Sequence, residues 1–155
     1  MVLSAFSLRE QATFYRAALL LGLVQGDEVV RWADAEIARA DNAAAALCDV
    51  ALTPVGGAAD LTKLRAALRP IADERESPAV VTRLLSVVTA DFTSGRRNAK
   101  DTITLLGQMR DNVAMSNELR EALHPFGIQN MLASVGAKGS IEDVEARLKA
   151  WLVTR

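Results

Sequence analysis

The chain has 155 residues, with 18 basic and 19 acidic side chains and a formal net charge of -1. This length favours a single domain, residues 1–155, that buries enough surface for a stable core without disulfides. The near balance of charge argues against non-specific nucleic-acid binding and against an anionic membrane surface as the main partner. Cys48 is the only cysteine, which excludes an intrachain disulfide and a cysteine metal cage.

The opening residues, MVLSAFSLRE, lack the basic region and the long apolar core of a signal peptide. The longest apolar run, residues 17–24, is far shorter than the ~20 residues that cross a bilayer. We therefore expect a cytoplasmic protein with no membrane partner. Arginine outnumbers lysine and alanine is abundant, which favours a GC-rich bacterial genome as the source.

Capping signals and apolar spacing predict three helices at the start of the chain. Ser7 and Glu10 form a capping box, and the helix that follows has an apolar stripe at three- and four-residue spacing. Asp27 begins a second helix, and the short connection predicts an antiparallel hairpin between these two helices. A short third helix has its N-cap at Asp41 or Asn42.

The most apolar helix is predicted over residues 78–93. Ser77 is a preferred N-cap, Pro78 fits the first helical position, and Gly95 supplies the left-handed residue that ends a helix. Its large apolar side chains are Val80, Val81, Leu84, Leu85, Val87, Val88 and Phe92. They cover an arc of roughly 160°, at about 100° per residue. An arc this wide indicates contacts on more than one side, so we expect this helix to be the centre of the whole core.

Two further helices flank the central one. The first covers about residues 60–72, where Pro70 ends or kinks it near Arg69. The second covers residues 96–114 and contains Gly107, which weakens its middle and permits a close helix crossing.

The last part of the chain predicts three short helices. Ser116 or Asn117 begins the first, His124–Pro125 breaks it, a second follows, and Ser140 caps the last. No segment shows strict alternation of apolar and polar residues, so no sheet is predicted. The sequence therefore predicts an all-α protein of eight or nine helices, arranged as an irregular orthogonal bundle or a short superhelix of helical hairpins.

The second helix carries a candidate binding surface. Asp27, Arg31 and Asp34 lie at i, i+4 and i+7, so one arginine can pair with a carboxylate on either side. Trp32 is adjacent, and tryptophan and arginine are enriched at binding hot spots. The alternative is an ordinary surface ion-pair ladder with Trp32 in the core.

A second candidate is the basic cluster of Arg96, Arg97 and Lys100 at the start of the sixth helix. A helix N-terminus with basic side chains can bind a phosphate. The alternative is a solvated helix start, because no aromatic residues lie between the basic ones for base stacking.

No motif identifies a catalytic centre, a metal site or a cofactor. His124 is the only histidine, and an imidazole at a helix end caps carbonyl groups or lies at the surface. The Glu121-x-x-His124 pattern occurs once, whereas di-iron carboxylate bundles need it twice. Glu142 and Glu145 stand where negative charge favours the dipole of the last helix. P-loop, dinucleotide and nucleophile-elbow patterns are absent from the sequence.

These observations favour a small helical protein–protein interaction domain: an adaptor, an inhibitor or an immunity-type protein that binds another protein or itself. This hypothesis predicts an exposed apolar or concave surface among helices one, two and six. The alternative is an all-helical enzyme, which predicts two or more carboxylates buried together with raised pKa values. The candidate carboxylates are Asp34, Asp41, Asp49, Asp91 and Asp101. A third hypothesis, a nucleic-acid-binding regulator, is opposed by the overall charge.

Overall fold

The computed structural model describes residues 6–154, and every regular element in that range is an α-helix. The prediction of an all-α protein is confirmed, with the helix count at the lower of the two predicted numbers. The expectation about a signal peptide depends in part on residues 1–5, which lie outside the described residues. The helices are α1 (Leu8–Leu20), α2 (Gly26–Arg39), α3 (Ala45–Ala51), α4 (Ala58–Leu68), α5 (Pro78–Thr93), α6 (Ala99–Asn112), α7 (Asn117–Ser134) and α8 (Ile141–Val153).

The helices fall into two compact units, residues 1–75 and residues 76–155. Unit 1 contains α1 to α4, and unit 2 contains α5 to α8. The single domain over residues 1–155 stays a prediction.

In unit 1, α2 packs on α3, α3 on α4, and α4 on α1. The side chains of α1 and α2 meet at Trp32, whose ring lies 5.0 Å from that of Tyr15 and whose Nε1 donates to Gln11 Oε1 at 2.6 Å. The predicted α1–α2 hairpin is wrong, because α2 packs mainly on α3 and does not lie along α1. The larger buried side chains of this core are Phe14, Tyr15, Leu19, Leu21, Val24, Val29, Trp32, Leu47, Val50, Leu64 and Leu68.

Gly26 begins α2, one residue before the predicted start at Asp27. A Cβ atom at this buried glycine would lie 3.0 Å from Cγ1 of Val55. The absence of a side chain therefore lets the loop between α3 and α4 lie against the first turn of α2.

The start of α3 differs from the prediction. Its N-cap is Ala44, with no side-chain capping bond, so the prediction of a cap at Asp41 or Asn42 is wrong. α3 packs on both α2 and α4, and its buried Leu47 and Val50 allow it to form without a polar cap.

α5 has the predicted boundaries and forms the core of unit 2. Ser77 Oγ accepts from the Val80 amide, Pro78 is the first helical residue, and Gly95 has a φ of 74° just after the helix. Six of the predicted apolar side chains are buried, and Val87 is half-buried. α5 packs on α6 and α8, so its buried face belongs to the core of unit 2, and its place at the centre of the whole core stays a prediction.

α6 is shorter than predicted and lacks the expected crossing. It begins at Ala99, after the predicted Arg96, because Asn98 Oδ1 accepts from the Asp101 amide at 2.8 Å and caps the helix. A Cβ atom at Gly107 would have no neighbour within 4 Å. This glycine therefore does not mark a close helix crossing.

α7 runs without interruption through Pro125, so the predicted helix break at His124–Pro125 is wrong. Leu123 and Phe126, on either side of the proline, are both buried, and the Phe126 ring contacts that of Trp151 in α8 at 5.6 Å. This packing offsets the hydrogen bond that a proline inside a helix removes.

Candidate functional site

The structure divides the α2 cluster between core and surface. Trp32 is 8% exposed and belongs to the core of unit 1. Arg31 is exposed and pairs with Asp27 at 2.6 Å. Asp34 is exposed and forms no ion pair with any residue in the range 6–154. The cluster therefore offers a partner three exposed charged side chains, two of them paired with each other, and the tryptophan contributes to packing.

The basic cluster lies at the turn before α6 and meets a carboxylate there. Asp91 Oδ1 lies 3.1 Å from Arg96 Nη2, and its Oδ2 lies 3.9 Å from Arg97 Nη2. Arg97 Nε is shielded from solvent and has no hydrogen-bond partner among the described residues. Lys100 is exposed on the first turn of the helix. Asp91 therefore neutralises part of the charge that a phosphate would need.

The candidate carboxylates of the enzyme hypothesis are not buried together. Four of the five aspartates are exposed, and the half-buried fifth is Asp91, which pairs with the arginines described above. The hydrogen bond from the Arg75 side chain lowers the pKa of Asp73 to about 2. Within the described part of the chain, no group of three or more potential metal ligands comes together. His124 is exposed within α7, not at a helix end, and its Nδ1 lies 3.0 Å from Arg110 Nη1.

Exposed apolar side chains lie on different helices from those predicted. Helices α1, α2 and α6 carry no large exposed apolar side chain within the described residues, so the exposed apolar surface predicted there is not found, whereas the concave surface stays a prediction. Unit 1 exposes Leu52 and Val55, both in the loop between α3 and α4. Unit 2 exposes Ile128, Met131, Val135, Ile141 and Val153.

Four of these side chains, Ile128, Met131, Val135 and Ile141, make up what we name the α7–α8 patch. Ile128 and Met131 lie three residues apart on one face of α7, Val135 is the C-cap residue that follows this helix, and Ile141 begins α8. Their exposed fractions are 45%, 58%, 71% and 51% in chain order. Their spacing alone predicts core positions, because a helical apolar stripe has the same period whether or not another helix covers it.

A groove of about 620 Å³, the α7–α8 groove, adjoins the patch at Ile128. Lys138 and Arg147 line it, and neither forms an ion pair with another described residue. Asp143 also lines it, but its Oδ2 accepts from the Ser140 amide at 3.2 Å as part of a capping box. The groove lining therefore carries two cations and one carboxylate, so its net charge is positive.

A second groove, of about 550 Å³, lies along α5 and is named the α5 groove. Its apolar lining includes Val81, Leu85, Leu119 and Leu152. It shares no lining residue with the α7–α8 groove.

Comparison of the chain with protein-family models, with curated proteins and with solved structures finds no match. Among the helices of residues 6–154, none has both the length and the apolarity that crossing a bilayer requires. The geometry thus defines an all-helical protein whose unit 2 carries an exposed apolar patch and two separate grooves.

Proposed function

We propose that the protein is an interaction module and that it binds another protein molecule through the α7–α8 patch. The supporting observation is the exposure of four large apolar side chains, by 45% to 71%, between Ile128 and Ile141, with two of them on one face of α7 and a third at its C-cap. Single exposed apolar side chains are common on protein surfaces, whereas a group of them on one face is typical of an interaction site.

The position of the patch around α7 supports this proposal. Leu123 and Phe126 face the core of unit 2. At 100° per residue, the mean direction of Ile128 and Met131 lies about 140° away from these two buried side chains. The patch is thus on the side of α7 opposite its packed face. A helix face that contacts only water normally carries polar side chains.

The charges beside the patch favour one kind of partner. Lys138 and Arg147 line the adjoining groove without ion-pair partners among the described residues. Complementary charge at an interface steers association and excludes partners of like charge. The proposed partner therefore presents an apolar contact surface edged with carboxylates.

The proposal is tested by placing a photo-crosslinking amino acid at Met131 in the native cell, with Leu52 as the matched control position. Leu52 is 81% exposed and lies in unit 1, so it reports collisions that do not depend on the patch. We expect one discrete cross-linked product from Met131 and none from Leu52, and mass spectrometry of that product identifies the partner.

Calorimetry with the purified partner then measures the contribution of the patch. Met131→Glu places an acidic group among acidic partner groups, so we expect binding to weaken by about tenfold or more. Leu52→Glu is the control, for which we expect no change beyond about twofold. Equal cross-linking from both positions, or unchanged binding by Met131→Glu, contradicts the proposal.

A further inference from the structure

We infer that the α5 groove is a second binding site and that its ligand is a basic amphipathic helix of a partner protein. This inference goes beyond the proposed function, because that function concerns the α7–α8 patch and the two surfaces share no residue. All residues that line the α5 groove belong to unit 2 and come from α5, the residue before its N-cap, the start of α7 and the end of α8.

The length of the groove matches that of a helix of about four turns. Residues from Pro78 to Thr93 line it, so α5 forms a wall along its whole length. At 1.5 Å per residue this wall is about 22 Å long, which is the length of a helix of about 15 residues. Pro78 and Ala90 are exposed along the wall, with Val81 and Leu85 only 6% and 7% exposed between them. These residues can contact apolar anchors at helical spacing.

Of the four hydroxyl groups that α5 contributes to the wall, those of Thr82 and Ser86 have no partner among the described residues, and the other two are bonded within the helix. Thr89 Oγ1 donates to the Leu85 carbonyl and Thr93 Oγ1 donates to the Thr89 carbonyl, each at 2.8 Å. These donors are therefore already used within α5. An extended peptide needs partners for its backbone N–H and C=O groups, whereas a helix satisfies its own.

The charge of the groove favours a basic ligand. Glu76 and Glu118 are the only charged side chains that line it, and both are exposed. Neither carboxylate forms an ion pair with another residue of the described range. Lysine or arginine on the polar face of a bound helix would pair with them, whereas an acidic helix would be repelled.

The test uses the full chain and two synthetic peptides of about 16 residues, matched to the groove length. Both have leucine at helical apolar spacing. All remaining positions are lysine in one peptide and glutamate in the other. Fluorescence anisotropy measures binding, and circular dichroism measures helix formation. We expect the lysine peptide to bind at least about tenfold more tightly, to become helical, and to bind more weakly as salt rises from about 0.05 M to about 0.5 M.

Three variants locate the site. Ser86→Arg places a bulky cation at an exposed groove residue, and we expect it to weaken binding of the lysine peptide by about tenfold or more. Glu118→Lys reverses one groove charge, with an expected loss of about three- to tenfold. The matched control is Glu121→Lys, which is exposed on the same helix outside the groove, with an expected change within about twofold. Met131→Glu, on the patch, is expected to bind the peptide normally, and thermal melting checks that each variant is folded.

Several results would overturn the inference. Equal binding of the two peptides, no effect of Ser86→Arg, or equal losses for Glu118→Lys and Glu121→Lys would show that the groove is not the site. Displacement of the peptide by a single-chain alkylammonium that binds more tightly would assign the groove to a small amphiphile. Self-association that Ser86→Arg abolishes would assign it to a second copy of this chain. Cross-linking from Met131 does not depend on any of these results, so the proposed function fails or stands separately.

Discussion

Units 1 and 2 are both built from four helices, but they differ in what they do with their large apolar side chains. Among the large apolar side chains of the described residues, unit 1 leaves only Leu52 and Val55 exposed, both in the loop between α3 and α4, whereas unit 2 leaves five exposed, two of them on one face of α7. Unit 2 also contains the α5 groove and the α7–α8 groove. Whether an amphipathic helix leaves apolar side chains exposed therefore depends on which of its faces other helices cover.

Unit 1 also ties its last loop to its first helix. The Asp73 amide donates to Thr13 Oγ1 in α1 at 2.8 Å, and the Asp73 carboxylate accepts from the Arg75 side chain. Unit 2 instead bonds α6 to α7, where Arg120 Nη1 donates to the Arg110 carbonyl at 2.5 Å. We interpret unit 1 as the scaffold and unit 2 as the binding part of the chain, and the predictions below test that division.

The largest expected effect is the loss of a core leucine from either unit. Leu64 in unit 1 and Leu84 in unit 2 are both fully buried, so substitution of either by alanine is expected to lower the free energy of unfolding by about 2–5 kcal/mol. Denaturant unfolding is followed by tryptophan fluorescence in two chains that each retain one tryptophan. Trp32 reports on unit 1 and Trp151 on unit 2. We expect Leu64→Ala to shift the Trp32 transition and Leu84→Ala to shift the Trp151 transition.

The matching single-tryptophan chain is the reference for each variant. If both reporters shift together in both variants, residues 1–155 unfold as one cooperative domain, as the length of the sequence predicts, and the division into scaffold and binding part does not extend to stability.

The second prediction concerns two prolines of unit 2 in different helical positions. Pro125 lies inside α7 and removes a backbone hydrogen bond, so Pro125→Ala is expected to raise the free energy of unfolding by about 1–2 kcal/mol. Pro78 is the first residue of α5, where the missing N–H costs nothing. Pro78→Ala is therefore the control, expected to lower stability by less than about 1 kcal/mol.

Denaturant unfolding followed at Trp151 measures both proline variants. A loss of stability in Pro125→Ala would contradict the explanation given for α7, because it would mean that the proline is needed to bring Leu123 and Phe126 into the core.

The smallest expected effect is a pH dependence in unit 1. The pKa of Asp73 is lowered from 3.8 to about 2 by the hydrogen bond from the Arg75 side chain. A lowered pKa means that the ionised carboxylate stabilises the folded state; this contribution is present above about pH 4 and is lost as the pH falls towards about 2. In Asp73→Asn we expect the stability of unit 1, followed at Trp32, to change less over this pH range than in the parent chain.

The control for this measurement is Asp34→Asn, which removes an exposed carboxylate that has no ion pair in the described part of the chain. It is expected to retain the pH dependence of the parent chain. An equal flattening in both variants would contradict the role given to Asp73.

Features that depend on residues within about four positions of each other could be predicted from the amino-acid sequence. The capping residues Ser7, Ser77 and Ser140 begin α1, α5 and α8 as predicted, because a capping bond joins a side chain to an amide three residues ahead. The apolar face of α5 was predictable for the same reason, since its spacing is read along a single helix.

Which apolar faces are covered depends on the packing of helices against each other and could not be predicted from the sequence. Contacts across unit 2 keep α7 helical through Pro125, and the absence of a covering helix leaves Met131 and Val135 exposed. Trp32 is in the core because it bonds to Gln11 and packs on Tyr15, which are both on another helix. The α5 groove is formed by parts of three helices that are distant in sequence. The physical reason is that burial depends on which partner surfaces come together in space, and helical periodicity does not specify them.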